Sequence, residues 1–226
     1  MRRQVVEIIP AILSKTSADY HKKFKVIEPL VEWIQIDIVD GRFAPNKTIG
    51  PEVVKDFRTV KKLEIQLMVR FIEDWVDPFI EIQAVKRIIF PVETAADPIG
   101  LIHHLRRHKI EIGASVNPTT PADRLQHLIG HLDTALVLSV HPGFSGQHFV
   151  YGSLEKIKKI KEMRPDIRVE IDGGISPGTA GKAAEAGATI LNSGSYIFEN
   201  DTIEGETYSE RVKNALNSLK EDVKDF

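Results

Sequence analysis

Two aspartates stand at the ends of strand-like segments, and together they could move a proton on and off a carbon atom. Asp37 lies in the run WIQIDIVDGRFAPN, residues 33–46, where branched apolar residues alternate with Gln35 and Asp37 before the turn signal Asp40-Gly41. Asp172 ends a later apolar run just before two glycines. Two carboxylates on opposite walls of a substrate can remove a proton from one face of a carbon and return one to the other.

Each acid also has a plain structural interpretation. An ionised carboxylate is costly to bury without a partner, so the segment around Asp37 could be an edge strand with one wet face. Either aspartate could cap a helix or pair with a lysine, and Asp40 fits this description too. We favour a shared site because the pattern of an acid at a strand end recurs at Asp172.

Three glycine-containing turns follow strand-like segments in the second half of the chain. Glycine lets backbone N–H groups approach an anion closely, and a short helix after the last strand could aim its N-terminus at the same point. One such turn alone is usually only a tight turn, but three on adjacent strands favour a phosphate site. The predicted phosphate-binding residues are Gly143, Phe144, Ser145, Gly146, Gly173, Gly174, Gly194 and Ser195.

The histidines give weaker signals. Two pairs at helical spacing could bind a metal but more often form solvated faces of amphipathic helices, and we expect no nearby acid to complete a site: His104 with His108, and His127 with His131. His141 precedes the first glycine turn and could be a general acid or a cap for that loop. No lysine falls on the sixth strand-like segment, which disfavours a Schiff-base aldolase. The segment Ser145–Tyr151 could close as a lid.

Bulk composition excludes several classes. The 226 residues carry a net charge of −2, which gives no electrostatic case for nucleic acid or an anionic membrane as partner. There is no cysteine, so disulfides and thiolate ligands are excluded, and a cytoplasmic location is expected. The N-terminal run MRRQVVEIIPAILSK is interrupted by Glu7 and Pro10, and we interpret it as a first strand rather than a signal peptide.

These residues need elements to position them, and strand-like and helix-like segments alternate along the whole chain. The predicted strands are Val5–Leu13, Trp33–Val39, Leu63–Val69, Val85–Phe90, Ile110–Val116, Ala135–Val140, Ile167–Asp172 and Ala188–Ser193. The predicted helices are Ala18–Glu32, Pro51–Val60, Ile72–Gln83, Pro98–His108, Pro121–His131, Ser153–Met163, Pro177–Ala186 and Thr207–Val223. Eight such units without a linker predict one α/β domain over residues 1–226, a single (β/α)8 TIM barrel; a doubly wound open sheet is the alternative.

At these positions the chain resembles the ribulose-phosphate 3-epimerase family. The resemblance rests on ILS at 12–14, IDIVDGRFAPN at 36–46, TIGP at 48–51, QLMV at 66–69, NPTTP at 117–121, SVHPGFSGQHF at 139–149, EIDGGI at 170–175 and GSYIF at 194–198. It implies a (β/α)8 barrel of pentose phosphate metabolism that inverts C3 of a ketose phosphate. It implies Asp37 and Asp172 as the acid–base pair, and contact of the sugar with Ser14, Gln66, Met68 and the position of His141.

The chain departs from the family where a metal would bind. The family has His-x-Asp and His-Leu-Met where this chain has Gln35 and Gln66, and those histidines hold a divalent metal together with the two aspartates. Zinc prefers imidazole, whereas two carboxylates and two amide oxygens would suit Mg²⁺ or Mn²⁺, bound weakly. Alternatively, the glutamine N–H₂ groups donate to an oxyanion, or they simply hydrogen-bond Asp37 and Asp172 in a metal-free mouth.

The sequence therefore predicts an isomerase that epimerises a ketose phosphate through an enediolate. It leaves two alternatives open: a non-catalytic sugar-phosphate-binding protein, and an enzyme for a different sugar phosphate such as a hexulose 6-phosphate. The expected partner is a small sugar phosphate, with assembly into a homo-oligomer as a further expectation from the family. No organic cofactor is expected.

Overall fold

Eight parallel strands close into a barrel in a computed structural model that describes residues 5–226. Each strand pairs with its successor along the chain, and the last pairs with the first. The strands are β1 (Glu7–Ile12), β2 (Trp33–Val39), β3 (Lys62–Met68), β4 (Val85–Pro91), β5 (Glu111–Val116), β6 (Thr134–Leu138), β7 (Arg168–Asp172) and β8 (Ile190–Ser193). The predicted barrel is confirmed. Residues 1–4 of the predicted domain lie outside the described residues.

Helices connect the strands and cover the barrel. They are α1 (Ser17–Ile27), α2 (Pro51–Asp56), α3 (Glu73–Ile80), α4 (Pro98–Arg107), α5 (Ser153–Met163), α6 (Thr179–Glu185), α7 (Ser195–Phe198) and α8 (Tyr208–Asp222). Shorter 3₁₀ turns span Glu28–Leu30, Ala122–Leu125 and Ile129–His131. Within residues 5–226, no helix has the length and apolar character needed to cross a bilayer.

Most predicted helices are longer than the observed ones, and two of them differ most. The helix predicted over Ala18–Glu32 stops at Ile27, because the ring of Pro29 clashes with a carbonyl one turn back and cannot continue an α-helix. The helix predicted over Pro121–His131 is wrong: this segment forms two 3₁₀ turns. The buried residues of the first turn, Ala122 and Leu125, are three apart, which matches the three residues per turn of a 3₁₀ helix.

The closed barrel buries both faces of β2. Ile34, Ile36 and Ile38 belong to the large apolar core, while Gln35 and Asp37 are part of a polar hydrogen-bonded cluster. The interpretation of this strand as a wet edge is therefore wrong, since a closed barrel has no edge. The register pairs Asp37 with Gln66 on β3, and it pairs Asp172 at the end of β7 with Asn192 on β8.

Candidate active site

The two predicted acids meet at the carboxyl ends of β2 and β7. Asp37 is 6% exposed and Asp172 is 9% exposed. One amide nitrogen bridges them: Gln35 Nε2 donates to Asp37 Oδ1 at 2.7 Å and to Asp172 Oδ2 at 3.2 Å. The barrel therefore brings together two carboxylates that lie 135 positions apart in the chain, and a glutamine side chain stands between them.

Gln66 completes this group from β3. Its Oε1 accepts from Gln35 Nε2 at 2.7 Å. When the Gln66 amide is turned over, its Nε2 lies 3.0 Å from Asp37 Oδ1 and 2.7 Å from Asp172 Oδ2. An amide oxygen in that place accepts from Gln35 but repels the two acids unless one of them carries a proton. An amide nitrogen suits two ionised carboxylates but lies 2.7 Å from the donor Gln35 Nε2. The orientation of Gln66 is thus coupled to the charge of the acid pair.

Burial and mutual repulsion favour a proton on this pair. Burial raises the pKa of Asp37 to about 6, against the opposing effects of the Gln35 hydrogen bond and the positive charge of Lys23. Burial, and then the charge of Asp37, raise the pKa of Asp172 well above its usual range. Two carboxylates this close do not both ionise easily, so near neutral pH one acid is charged and the other is neutral.

The donor set does not fit a divalent cation. Gln35 directs its N–H₂ group, which cannot coordinate a metal, into the space between the carboxylates, and its Oε1 accepts from Asn192 Nδ2 on the far side. Among residues 5–226 there is no group of three or more His, Cys, Asp or Glu side chains arranged to hold a metal. Of the alternatives that the sequence left open, this geometry corresponds to glutamines hydrogen-bonded to the aspartates.

The glycine turns line the same cleft as the acids. Gly143–Gly146, Gly173, Gly174, Gly194 and Ser195 surround it together with Asp37 and Asp172. Four of these glycines have positive φ, which favours glycine: Gly143 at 116°, Gly146 at 75°, Gly173 at 110° and Gly174 at 63°. A Cβ at Gly173 would lie 2.4 Å from Val140 Cγ2, and one at Gly174 would lie 2.9 Å from the Phe149 backbone nitrogen. Side chains at these two positions would therefore collide with their neighbours as well as strain the backbone.

The predicted sugar-contacting residues do not all line the cleft. Met68 and His141 line the cleft. Ser14 Oγ donates to Asp19 Oδ2 at 2.7 Å, so its hydroxyl is engaged within the protein. Gln147, rather than His141, ties the loop together: Gln147 Nε2 donates to the His141 carbonyl at 2.6 Å and to the Phe144 carbonyl at 2.9 Å.

Two structural interpretations are resolved by contacts. Asp40 fixes the turn after β2, because Oδ1 accepts from the backbone N–H groups of Arg42 and Phe43 at 2.7 and 2.8 Å. Burial acts to raise the pKa of Asp40, but these bonds and a third from the Arg70 backbone N–H outweigh burial and lower that pKa. The statement that the helix histidines have no nearby acid is wrong for His104, whose Nε2 lies 2.6 Å from Asp77 Oδ1 of α3. Asp77 is 27 positions from His104 in the chain, so the sequence gave no indication that the two side chains meet.

Sequence reasoning missed a lysine and a glutamate in the cleft. Lys23 of α1 is buried and donates to the Leu13 carbonyl at 3.1 Å and to Glu199 Oε1 at 3.0 Å. Ser145 Oγ in the glycine loop donates to the other carboxylate oxygen of Glu199 at 2.8 Å. One sequence signal was available: Lys23 lies on the apolar face of α1 between Tyr20 and Ile27, where a lysine needs a buried partner.

The fold and this cleft define a class of protein: a (β/α)8 barrel with a buried acid pair facing glycine turns at the carboxyl ends of its strands. The profile of the Ribulose-phosphate 3 epimerase family matches residues 7–198. The chain is 31% identical over 232 residues to the ribulose-phosphate 3-epimerase of Eremothecium gossypii, covering 96% of this chain and 93% of that one. It is 34% identical over 234 residues to that of Synechocystis sp., covering 97% and 96%. The chain belongs to the ribulose-phosphate 3-epimerase family.

Solved structures of lower identity agree with the fold. The 3-hexulose-6-phosphate synthase of Salmonella typhimurium superposes with a TM-score of 0.68 at 14% identity, covering 96% of this chain and all of that one. A tryptophan synthase chain of Mycobacterium tuberculosis gives a TM-score of 0.66 at 15% identity, covering 97% and 93%. At these identities the likeness concerns the barrel alone.

Proposed function

We propose that this protein is an isomerase that inverts C3 of ribulose 5-phosphate. The observation that carries the proposal is the buried pair Asp37 and Asp172, bridged by one amide, in the cleft that the glycine turns line. Membership of the family supports the same reaction. A single charged acid and a single neutral acid are the protonation states that a two-sided proton transfer requires.

The reaction balances with these two groups alone. The ionised carboxylate removes the C3 proton, and the electron pair of the broken C–H bond moves toward the C2 carbonyl to give an enediolate. The neutral carboxyl group then delivers its proton to the opposite face of C3. Each turnover exchanges the roles of Asp37 and Asp172, so the enzyme is ready to catalyse the reverse direction.

We infer that amide N–H groups, rather than a cation, stabilise the enediolate oxygen. Gln35 Nε2 lies beside the carboxylates where negative charge develops. A preorganised donor of this kind is worth about 10²- to 10³-fold in rate. The proposal is thus a metal-independent epimerase, and it rests on the N–H₂ group that occupies the space between the acids.

The phosphate site remains part of the proposal. Gly143, Phe144, Ser145 and Gly146 from one loop, with Gly173, Gly174, Gly194 and Ser195, are proposed to hold the phosphate through backbone N–H groups. Lys23 lines the same cleft and adds a positive charge. Ser14, Met68 and His141 stay proposed sugar contacts. The cytoplasmic location and assembly into a homo-oligomer also stay proposals.

The test is exchange of the C3 proton of ribulose 5-phosphate into D₂O, followed by NMR. We expect exchange with protein treated with a chelator, and less than a twofold change when Mg²⁺, Mn²⁺ or Zn²⁺ is added. Exchange only after adding metal would contradict the amide mechanism. Binding of the sugar phosphate without exchange under any condition would instead support a non-catalytic binder, and exchange only with a hexulose 6-phosphate would change the substrate.

A further inference from the structure

A charged cluster fills the barrel interior next to the acid pair. Arg87 of β4, Glu64 of β3 and Glu170 of β7 are each completely buried. Arg87 Nη1 lies 2.9 Å from Glu170 Oε1 and is also paired with Glu64, while Glu111 accepts from Arg87 Nη2 at 2.9 Å. The desolvation of these buried charges costs as much free energy as their attraction returns, so the cluster is not explained by a gain in stability.

Asn192 joins this cluster to the acid pair. Its Nδ2 donates to Glu64 Oε1 at 3.2 Å, to Glu170 Oε2 at 3.3 Å and to Gln35 Oε1. If the Asn192 amide were turned over, its oxygen would face the carboxylate oxygens of Glu64 and Glu170 and the carbonyl oxygen of Gln35. The two glutamates therefore fix which end of the Asn192 amide faces Gln35.

The orientation of Gln35 follows from that of Asn192. Because Gln35 Oε1 accepts from Asn192, its Nε2 must point the other way, toward Asp37 and Asp172. The opposite orientation would place two amide N–H₂ groups against each other and an oxygen against the acids. The proposed chemistry needs a hydrogen-bond donor between the two carboxylates. The Gln35 side chain could present either end of its amide there, so a neighbouring residue must fix its orientation.

We propose that Asn192 is a positioning residue, held by the buried Glu64–Arg87–Glu170 cluster, that keeps the N–H₂ group of Gln35 directed at the acid pair. This inference rests on the proposed function for its catalytic consequence, but not for its structural one. Asn192 pairs with Asp172 through the backbone of β8, but its side-chain N–H₂ group donates to Gln35, Glu64 and Glu170 and to neither acid. It acts through Gln35.

The kinetic test is Asn192→Leu, which removes the donor to Gln35 with little change of volume. We expect kcat for C3 exchange to fall about 10- to 100-fold, the range for groups that orient a site from behind, with KM within threefold. The matched control is Thr134→Val: Thr134 Oγ1 donates to Glu170 Oε1 at 2.7 Å, on the same cluster but on the other carboxylate oxygen from the one that accepts from Asn192. This control should keep kcat within threefold. Equal losses of kcat in both variants would overturn the proposal.

A double-mutant cycle separates positioning from a general loss of structure. Gln35→Met removes the amide that Asn192 orients. In that background, Asn192→Leu should lower kcat by less than threefold further, because nothing remains to be oriented. If the two losses multiply, Asn192 acts independently of Gln35 and the proposal fails.

A second readout needs neither activity nor a variant. In the wild-type protein the side-chain N–H₂ protons of Gln35 should exchange slowly with solvent, since both are held by buried acceptors. Fast exchange with solvent would overturn the proposal even if Asn192→Leu fails to fold. If wild-type protein shows slow exchange at Gln35 but no C3 exchange from any ketose phosphate, the positioning stands and only the proposed function fails.

Discussion

Asp37 and Asp172 depend on their surroundings for their protonation states. Both are nearly buried, and the amide of Gln35 bridges them. The sequence predicted these two residues and that Gln35 and Gln66 lie beside them. It could not predict which end of the Gln35 amide faces the acids, because we propose that this depends on Asn192, which lies on β8 and is 157 positions from Gln35 in the chain.

Asp172→Asn should abolish C3 exchange while leaving phosphate-ligand binding within about tenfold. The amide cannot take or give the proton, but it keeps the shape of the site. The measurement is D₂O exchange alongside calorimetric titration with a sugar phosphate, with the exposed Asp74→Asn as the control. If binding and turnover fall together by the same factor, Asp172 has a structural role instead.

The rate of C3 exchange should fall as pH drops below about 6. The pKa of Asp37 is raised to about 6 by burial, so below that value both acids carry protons and no base remains. The decline should approach tenfold per pH unit at saturating substrate. A rate that is flat from pH 7 to pH 4.5 would mean that the base titrates near its ordinary value and that the pair does not share a proton as described.

At the scale of elements, the periodicity of apolar residues and the residues typical of turns predicted most of the barrel. β2 and α5 match their predicted bounds, because alternation in β2 and the 3.6-residue period in α5 are uninterrupted. The α-helix predicted over residues 121–131 was wrong, because apolar residues three apart fit an α-helix and a 3₁₀ helix equally well in so short a segment. The link from α1 to the glycine loop through Lys23, Glu199 and Ser145 is a contact between distant elements, so local sequence gave no direct signal for Glu199.

Glu199→Gln should tighten phosphate binding about three- to tenfold. The Glu199 carboxylate lines the cleft and accepts from Ser145 Oγ, so it repels a dianion that approaches the glycine loop. Asp19 Oδ2, 3.1 Å from Lys23 Nζ, would still hold the lysine. The readout is the Kd of inorganic phosphate by calorimetry, with Glu204→Gln on an exposed loop as control. Weaker binding would show that Glu199 supports the phosphate loop rather than opposing the ligand.

At the scale of the whole molecule, the barrel interior is polar where an apolar filling would be less costly. Arg87, Glu64 and Glu170 come from three different strands, and closure of the barrel brings them together. Burial, followed by the charge of Glu170, raises the pKa of Glu64 well above its usual range, while Arg87 opposes both effects. The sequence shows these three charges within strands but not that they share one interior layer, which follows from the stagger of the closed sheet.

Arg87→Met should lower the free energy of unfolding by about 3–5 kcal/mol, because it leaves two buried carboxylates without their cation. Urea denaturation measures the loss. Replacing all three residues, as Arg87→Met with Glu64→Leu and Glu170→Leu, should recover most of it. The control Lys159→Met breaks an exposed ion pair with Asp123 and should cost less than about 1 kcal/mol. A loss below 1 kcal/mol for Arg87→Met would mean that the glutamates are neutral without it.

The indole of Trp33 lies against the same guanidinium, with the Arg87 carbon 4.3 Å from the ring centroid, and it is 8% exposed. The chain has only one other tryptophan, Trp75, on α3 outside the barrel. Trp33 therefore gives the closed interior an optical reporter of its own. In a Trp75→Phe background, the wavelength and intensity of its emission follow water entering the barrel at the Arg87 layer, which distinguishes opening of the interior from fraying of the outer helices.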